Sequence, residues 1–224
     1  FLAVIGRSAS YPMEQYDTAM AIAREFSVPL REVDTHEMDD PDYVANPTNR
    51  CYFCKRELWG RLTDIARRER FDTIMDGTNA DDLGEHRPGL AAAEEWSVAS
   101  PFAELGWTKA IIRAAALSLG LPVWDSPAAP CLSSRVAHGL SITPERLRQV
   151  EEGEEWLRAF GITGDLRVRH HASRARLEVN PEAISRLRAA WTDVESAFNA
   201  LGFTSVELDP RGYRRGSMLE AAES

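Results

Sequence analysis

Asp72-Thr-Ile-Met-Asp-Gly-Thr-Asn-Ala-Asp-Asp82 begins as an apolar run and breaks into small and acidic residues. It reads as a strand, Asp72 to Gly77, delivering a polar loop. Two strand-like runs precede it, Leu2-Ala-Val-Ile5 and Leu30-Arg-Glu-Val33, with a helical stretch from Glu14 to Phe26 between them. Tyr52 to Arg70 predicts a long amphipathic helix carrying Leu58, Leu62, Ile65 and Ala66 on one face, with Thr48 or Asn49 as its cap. Thr108 to Leu119, opened by Thr108 and closed at Gly120, is a further helix. Strand and helix alternating at this spacing imply a parallel α/β sheet. Ligands of such sheets bind at the carboxyl ends of the strands, so Asp76, Gly77, Asn79, Asp81 and Asp82 fall at the expected ligand edge. Arg87, in Arg87-Pro-Gly89, follows that acidic loop closely enough to be positioned by it.

From about Gly139 the pattern changes. Thr143-Pro-Glu-Arg is an N-cap with proline at the first helical position, opening a helix to about Phe160. Asp165 to Val179 alternates as a hairpin, with Leu166, Val168, Leu177 and Val179 toward a core and Arg167, Arg169, Arg176 and Glu178 on the opposite face. A helix from Pro181 to Leu201 and a strand from Ser205 to Leu208 complete a smaller α+β domain. The expected division is therefore 1–138 and 139–224.

A chain of 224 residues with 44% hydrophobic content and a mean hydropathy of −0.34 has material for a real core. No apolar run approaches the roughly 20 residues of a spanning helix, and no basic-then-apolar leader is seen, so a cytoplasmic protein is expected. A net charge of −9 disfavours an extended nucleic-acid footprint, which depends on many cationic contacts to phosphates. The numbered chain opens with Phe1 directly before a strand-like run, which suggests residues upstream.

Three cysteines occur: Cys51 and Cys54 in Asn49-Arg-Cys-Tyr-Phe-Cys-Lys55, and Cys131 in Ala129-Pro-Cys-Leu-Ser-Ser-Arg135. An odd, small count with a C-x-x-C pair argues for a reducing compartment rather than a disulfide framework. Two sulfurs three residues apart can bind one metal centre, and a third brought in by the fold would leave a position open for chemistry. A thiol in these motifs could equally act as nucleophile or sulfur donor. Arg50, Lys55 and Arg56 and the expected helix N-terminus favour thiolate around the pair.

Ser133, Ser134 and Arg135 offer two hydroxyls and a guanidinium beside Cys131, a set suited to phosphate or carboxylate. Arg167, Arg169 and Arg176 share one hairpin face and require an anion or carboxylates nearby. Arg211, Arg214 and Arg215 with Gly212 and Gly216 make a second basic turn. His170 and His171 point to opposite faces of a strand end and are read as structural. Gly6-Arg-Ser-Ala-Ser10 lies where a phosphate loop would, yet lacks the glycine density for one.

Taken together, Asn49–Lys55, Asp76–Asp82, Arg87-Pro-Gly-Leu90, Cys131–Arg135, Arg167-Val-Arg-His-His171 and Gly212-Tyr-Arg-Arg-Gly216 resemble the ATP-dependent sulfur transferases of the LarE family over nearly the whole chain. The resemblance implies a PP-loop ATP pyrophosphatase fold with a C-terminal α+β domain for substrate binding and oligomerisation. The implied activity lies in the synthesis of the nickel-pincer nucleotide: a carboxylate of pyridinium-3,5-biscarboxylic acid mononucleotide is adenylylated with ATP and Mg²⁺, then converted to a thiocarboxylate. Some members of the family sacrifice a cysteine sulfur. Others resemble this chain in using three cysteines, here Cys51, Cys54 and Cys131, to hold a [4Fe-4S] cluster that can carry a sulfide. The resemblance further implies substrate contacts from Ser134, Arg135, Arg167, Arg169 and Arg214, and nucleotide or Mg²⁺ contacts from Asn79, Asp81, Asp82 and Arg87. A homo-oligomer and a sulfide or other sulfur donor are expected partners. The family's Ser-Gly-Gly-x-Asp-Ser loop would precede Leu2, and without it normal ATP binding is not expected. Rival readings are a PP-loop tRNA thiolase with the same three cysteines and a non-catalytic zinc-stabilised module, which would normally want a fourth ligand.

Overall fold

The computed structural model describes residues 1–83, 88–127 and 130–214. In chain order the elements are β1 (Ala3–Arg7), α1 (Met13–Glu25), β2 (Leu30–Asp34), α2 (Pro41–Val44), α3 (Arg50–Glu69), α4 (Pro88–Glu95), α5 (Pro101–Glu104), α6 (Lys109–Ser118), α7 (Pro144–Ala159), β3 (Leu166–His171), β4 (Arg174–Val179), α8 (Pro181–Ala189), α9 (Trp191–Ala200) and β5 (Ser205–Leu208). Short 3-10 turns cover Glu37–Asp39, Ala80–Asp82 and Leu132–Arg135.

The chain forms two compact units. The first comprises Phe1–Ser8, Glu14–Tyr43 and Pro47–Ser126, and the second Ala9–Met13, Val44–Asn46 and Pro127–Ser224. The division therefore falls at Ser126–Pro127 rather than at 138–139, and two short early segments join the second unit. Hydrogen bonds explain that membership. Leu132 N donates to Ser10 O (2.8 Å), Ile142 N to Val44 O (2.8 Å), and the buried Asn46 amide donates to the carbonyls of Val136, Ala137 and Leu140.

In the first unit β1 and β2 pair in parallel, Ala3 opposite Leu30 and Arg7 opposite Asp34. The segment expected as a third strand makes only an isolated parallel bridge, Met75 to Ala99, through Asp76 N to Ala99 O and Ala99 N to Ile74 O. An apolar groove of about 480 Å³, lined by Leu2, Val4, Leu62, Ile65, Ile74 and Met75 among others, runs between that segment and β1. Among the described residues β1 has no sheet neighbour but β2, so nothing there extends the 72–77 run into a ladder. Gly6 and Arg7 end β1 instead of forming a loop, and Arg7 pairs with Asp34 at 2.8 Å.

Helix α3 starts at Arg50, two residues before the expected start. Asn49 does not cap it with its side chain, because its backbone (φ −94°, ψ 16°) is not in the extended region that an N-cap uses. Two caps behave as expected: Thr108 accepts from Ile111 N on α6, and Thr143 from Arg146 N on α7. The long helix expected over 181–201 is two helices, α8 and α9, since the backbone leaves the helical region at Ala190 (φ −110°, ψ 29°).

The second unit is built on a three-stranded sheet in the order β3-β4-β5, with β3 and β4 antiparallel and β4 and β5 parallel. One face carries Leu166, Val168, Ala175, Leu177 and Val179, which pack against Leu157 of α7, Leu187 of α8 and Val194 and Phe198 of α9. Gly153 allows α7 to approach closely, since a Cβ there would stand 3.0 Å from the Phe198 ring. Burying one such aliphatic side chain contributes about 1.5–3 kcal/mol, so this core accounts for the registry of the hairpin. Among the described residues no helix is long and apolar enough to cross a membrane.

Candidate functional site

In the second unit the sheet face opposite the aliphatic core is polar, and around Arg167, Arg169 and Glu178 it is buried. Arg167 and Arg169 are 4% and 6% exposed and Glu178 is 1% exposed. Arg167 and Arg169, on the hairpin face expected to need an anion or carboxylates nearby, lie in an interior cluster with Glu154 and Glu178 that the Leu132–Arg135 turn and the chain after β5 border. Arg135, 2% exposed, donates from Nε and Nη2 to the two carboxylate oxygens of buried Glu154 at 2.9 and 3.1 Å. Glu154 also accepts from Val168 N at 3.2 Å. Arg169 Nε donates to Glu178 Oε2 at 2.9 Å, and its Nη1 to Ser134 O at 3.2 Å. Arg167 lies close enough to Arg135 and Arg169 to feel both charges. Burial, then Arg135, then Arg169 push its pKa down, while Glu154 and Tyr213 pull the other way. Among the described residues, Arg135, Arg167 and Arg169 thus share one interior cluster with Glu154 and Glu178.

This cluster also builds the Cys131 turn. The Cys131 carbonyl accepts from Ser134 N (3.0 Å), Ser134 Oγ (2.7 Å) and Arg135 Nη1 (2.9 Å), and Pro130 O accepts from the same Nη1. Ser134 and Arg135, expected to contact substrate, are engaged in fixing the backbone that presents Cys131. Glu154 escaped the sequence reading because an acidic residue on a helix ordinarily faces water. A signal existed: it lies amid Leu147, Val150 and Leu157 at helical spacing, on the face that α7 buries.

Arg214 belongs to a second polar knot around Asp209, whose side chain is fully buried. Asp209 pairs with Arg176 and, at 3.4 Å, with Arg214, and accepts from Arg211 N at 2.8 Å. Burial works to raise its pKa, but the Arg211 N–H and the Arg176 and Arg214 charges hold it below the usual carboxylate range. Arg215 and Gly216 lie outside the described residues. His170 is buried and bonded through Nε2 to Gln149 Oε1 at 2.9 Å, and His171 is half-buried, both with pKa values lowered chiefly by burial.

In the first unit Cys51 and Cys54 stand in the opening turns of α3, one turn apart, Cys51 exposed and Cys54 partly so. Helix α4 meets them closely: a Cβ at Gly89 would lie 3.2 Å from Lys55 Cγ and 4.0 Å from Cys51 Cβ. The Asp76–Asp82 loop is held by its own side chains. Asp76 accepts from Thr78 N, Thr78 Oγ1 and Ser100 Oγ. Asn79 accepts from Asp81 N, Asp82 accepts from Asn79 N and Nδ2, Asp81 accepts from Lys109 N, and Lys109 Nζ stands 3.3 Å from Asp82. Asn79, Asp81 and Asp82 therefore already serve as a capping network, and Arg87 lies outside the described residues.

The three cysteines are not disulfide-bonded. Three thiols of which none is fully buried fit the soft-donor chemistry of an iron–sulfur cluster. Two belong to the first unit and one to the second, and among the described residues no three His, Cys, Asp or Glu side chains stand together as a metal-binding group.

No family model matches the chain. It is 40% identical over 219 residues to an uncharacterised protein of Synechocystis sp., covering 97% of this chain and 81% of that one. It is 32% identical over 216 residues to the pyridinium-3,5-bisthiocarboxylic acid mononucleotide synthase of Lactiplantibacillus plantarum, covering 96% and 78%. An uncharacterised protein of Methanocaldococcus jannaschii is 31% identical over 198 residues, covering 88% and 75%. The parallel β1–β2 unit with its helices and these likenesses define an α/β enzyme of the PP-loop ATP pyrophosphatase fold. Within that class, the chain belongs to the LarE family of sulfur transferases.

Proposed function

We propose that the protein inserts sulfur into pyridinium-3,5-biscarboxylic acid mononucleotide, with ATP activating the carboxylate by adenylylation, in the synthesis of a nickel-pincer nucleotide. The observation that carries this reading is the interior cluster of Arg135, Arg167 and Arg169 against Glu154 and Glu178, in a chain 32% identical to a synthase named for the thiocarboxylate product. A guanidinium in a water-poor setting binds phosphate or carboxylate more strongly than the same charge on the surface. Arg167 and Arg169 would receive the anionic groups of the mononucleotide. Arg135, Ser134 and Glu154 would hold the Cys131 turn beside them.

A [4Fe-4S] cluster held by Cys51, Cys54 and Cys131 would leave one iron without a protein ligand, a position able to carry the sulfur that displaces the adenylate. Asn79, Asp81, Asp82 and Arg87 would order the loop at the nucleotide edge. A homo-oligomer in the cytoplasm remains part of the reading.

The test is anaerobic reconstitution of the full-length protein with iron and sulfide, followed by mass spectrometry of the pyridinium mononucleotide after incubation with ATP and Mg²⁺. Gain of sulfur in place of oxygen is expected. Iron loading without any mass change of the mononucleotide would refute the substrate, and sulfur transfer by a chain lacking all three cysteines would refute the cluster.

A further inference from the structure

We propose that, when no metal centre is bound, Cys51 and Cys54 form a reversible dithiol–disulfide couple that exchanges with low-molecular-weight disulfides, and that closing it withdraws the pair from metal ligation. The withdrawal rests on the cluster reading above, whereas the couple stands without it.

Both cysteines belong to the first unit and to the opening turns of α3. Helix geometry fixes their spacing: three steps of about 1.5 Å rise on a radius of about 2.3 Å put the two Cα atoms about 5 Å apart, with both Cβ atoms on one face. A disulfide spans Cα separations of about 4.4–6.8 Å, so the pair can close without unwinding the turn. That turn is braced from several sides. A Cβ on Gly89 of α4 would stand 3.7 Å from Cys51 O, Arg56 Nη2 donates to Asp40 Oδ2 at 2.7 Å, and Lys55 Nζ lies 4.8 Å from the centre of the Trp59 ring. Held in this geometry, each thiol meets the other at a far higher effective concentration than a thiol from solution.

Access and charge divide the roles. Cys51 is exposed and Cys54 partly buried, so Cys51 meets a disulfide from solution and Cys54 resolves the product. Asn49 provides no side-chain cap and the first turn has no acidic residue, which leaves the positive end of the helix to favour an anionic sulfur. Cys131 belongs to the second unit, whose sequence has no other cysteine to pair with it. In the exchange, the Cys51 thiol gives its proton to solvent and its sulfur attacks one sulfur of the small disulfide. That S–S bond breaks, and the leaving thiolate departs with the electron pair and takes up a proton. Cys54, deprotonated in turn, attacks the Cys51 sulfur of the mixed disulfide and expels the second small thiol. Two cysteines are thereby oxidised by two electrons, and one disulfide is reduced to two thiols. The closed pair has no thiolate to offer a metal.

The experiment treats the full chain, metal-free and reduced, with oxidised glutathione under argon and maps its tryptic peptides by mass. Trypsin cuts after Arg50 and Lys55, so both cysteines fall in the single peptide 51–55. That peptide should lose two hydrogens in mass. A peptide left unchanged, carrying glutathione without an internal bond, or joined to the peptide of Cys131 overturns the couple. Cys54→Ser should retain glutathione on Cys51, and Cys51→Ser should take it up about tenfold more slowly. Equal uptake by the two variants overturns the division of roles, and the wild-type map answers the main question even if either variant does not fold. Cobalt(II) alone, added to the reduced chain, should give thiolate charge-transfer absorption, and the oxidised chain should lose most of it. Equal absorption from both chains overturns the withdrawal. None from the reduced chain overturns the cluster reading, and the withdrawal with it, whereas the couple itself stands or falls on its peptide.

Discussion

Acidification from pH 7 to 5 should cost the second unit about 2 kcal/mol through His170 alone. The orientation of Gln149 is set by its Nε2 donating to Leu201 O at 2.9 Å, so its Oε1 faces His170 and the imidazole carries its proton on Nε2. Nδ1 of His170 is buried with no hydrogen-bond partner among the described residues, and the ring packs on Phe203 with centroids 5.0 Å apart. A second proton would place a charge and an unsatisfied donor in the core. Burial, and then Arg146 and His171, accordingly depress the pKa from 6.5 to about 4. The unfolded chain binds the proton first as pH falls, so the stabilisation is complete above pH 6.5 and is lost on the way down toward 4. At pH 5 the difference is about 1.5 units, at about 1.36 kcal/mol per unit. His171, also depressed, acts in the same direction. The measurement is urea unfolding at pH 7, 6 and 5 for wild type and His170→Gln, which removes the titration. The wild-type free energy should fall by about 2 kcal/mol more than that of the variant, and parallel pH dependences would refute the reasoning.

Arg169→Ala should lower stability by about 3–5 kcal/mol, because it leaves Glu178 buried without its charge partner; thermal and urea unfolding of the variant would show it. Gly212→Ala should destabilise by at least about 1 kcal/mol through its positive φ and the clash with Val179 O, read as a lower urea midpoint. Anaerobically prepared protein should bind about four irons per chain, and Cys51→Ala or Cys131→Ala should reduce that iron content, as measured by metal analysis.

Periodicity and turn chemistry carry far in this chain, because they act over a few residues. The sequence alone determined the β3–β4 hairpin and its two faces, the 205–208 strand, the Thr108 and Thr143 caps, and the cysteine and arginine motifs on which the family resemblance rests. It could not show that β3 is buried on both faces, since alternation distinguishes two sides of a strand but not whether the polar side meets water. Only the tertiary structure decided that, by laying the Cys131 turn and the 209–214 turn along that side. The same holds for Glu154, for the separate roles of Arg135 and Arg167, and for the joining of residues 9–13 and 44–46 to the second unit. Each depends on groups far apart in the chain exchanging water for one another, and the cost of leaving a buried charge unpaired selects the partners.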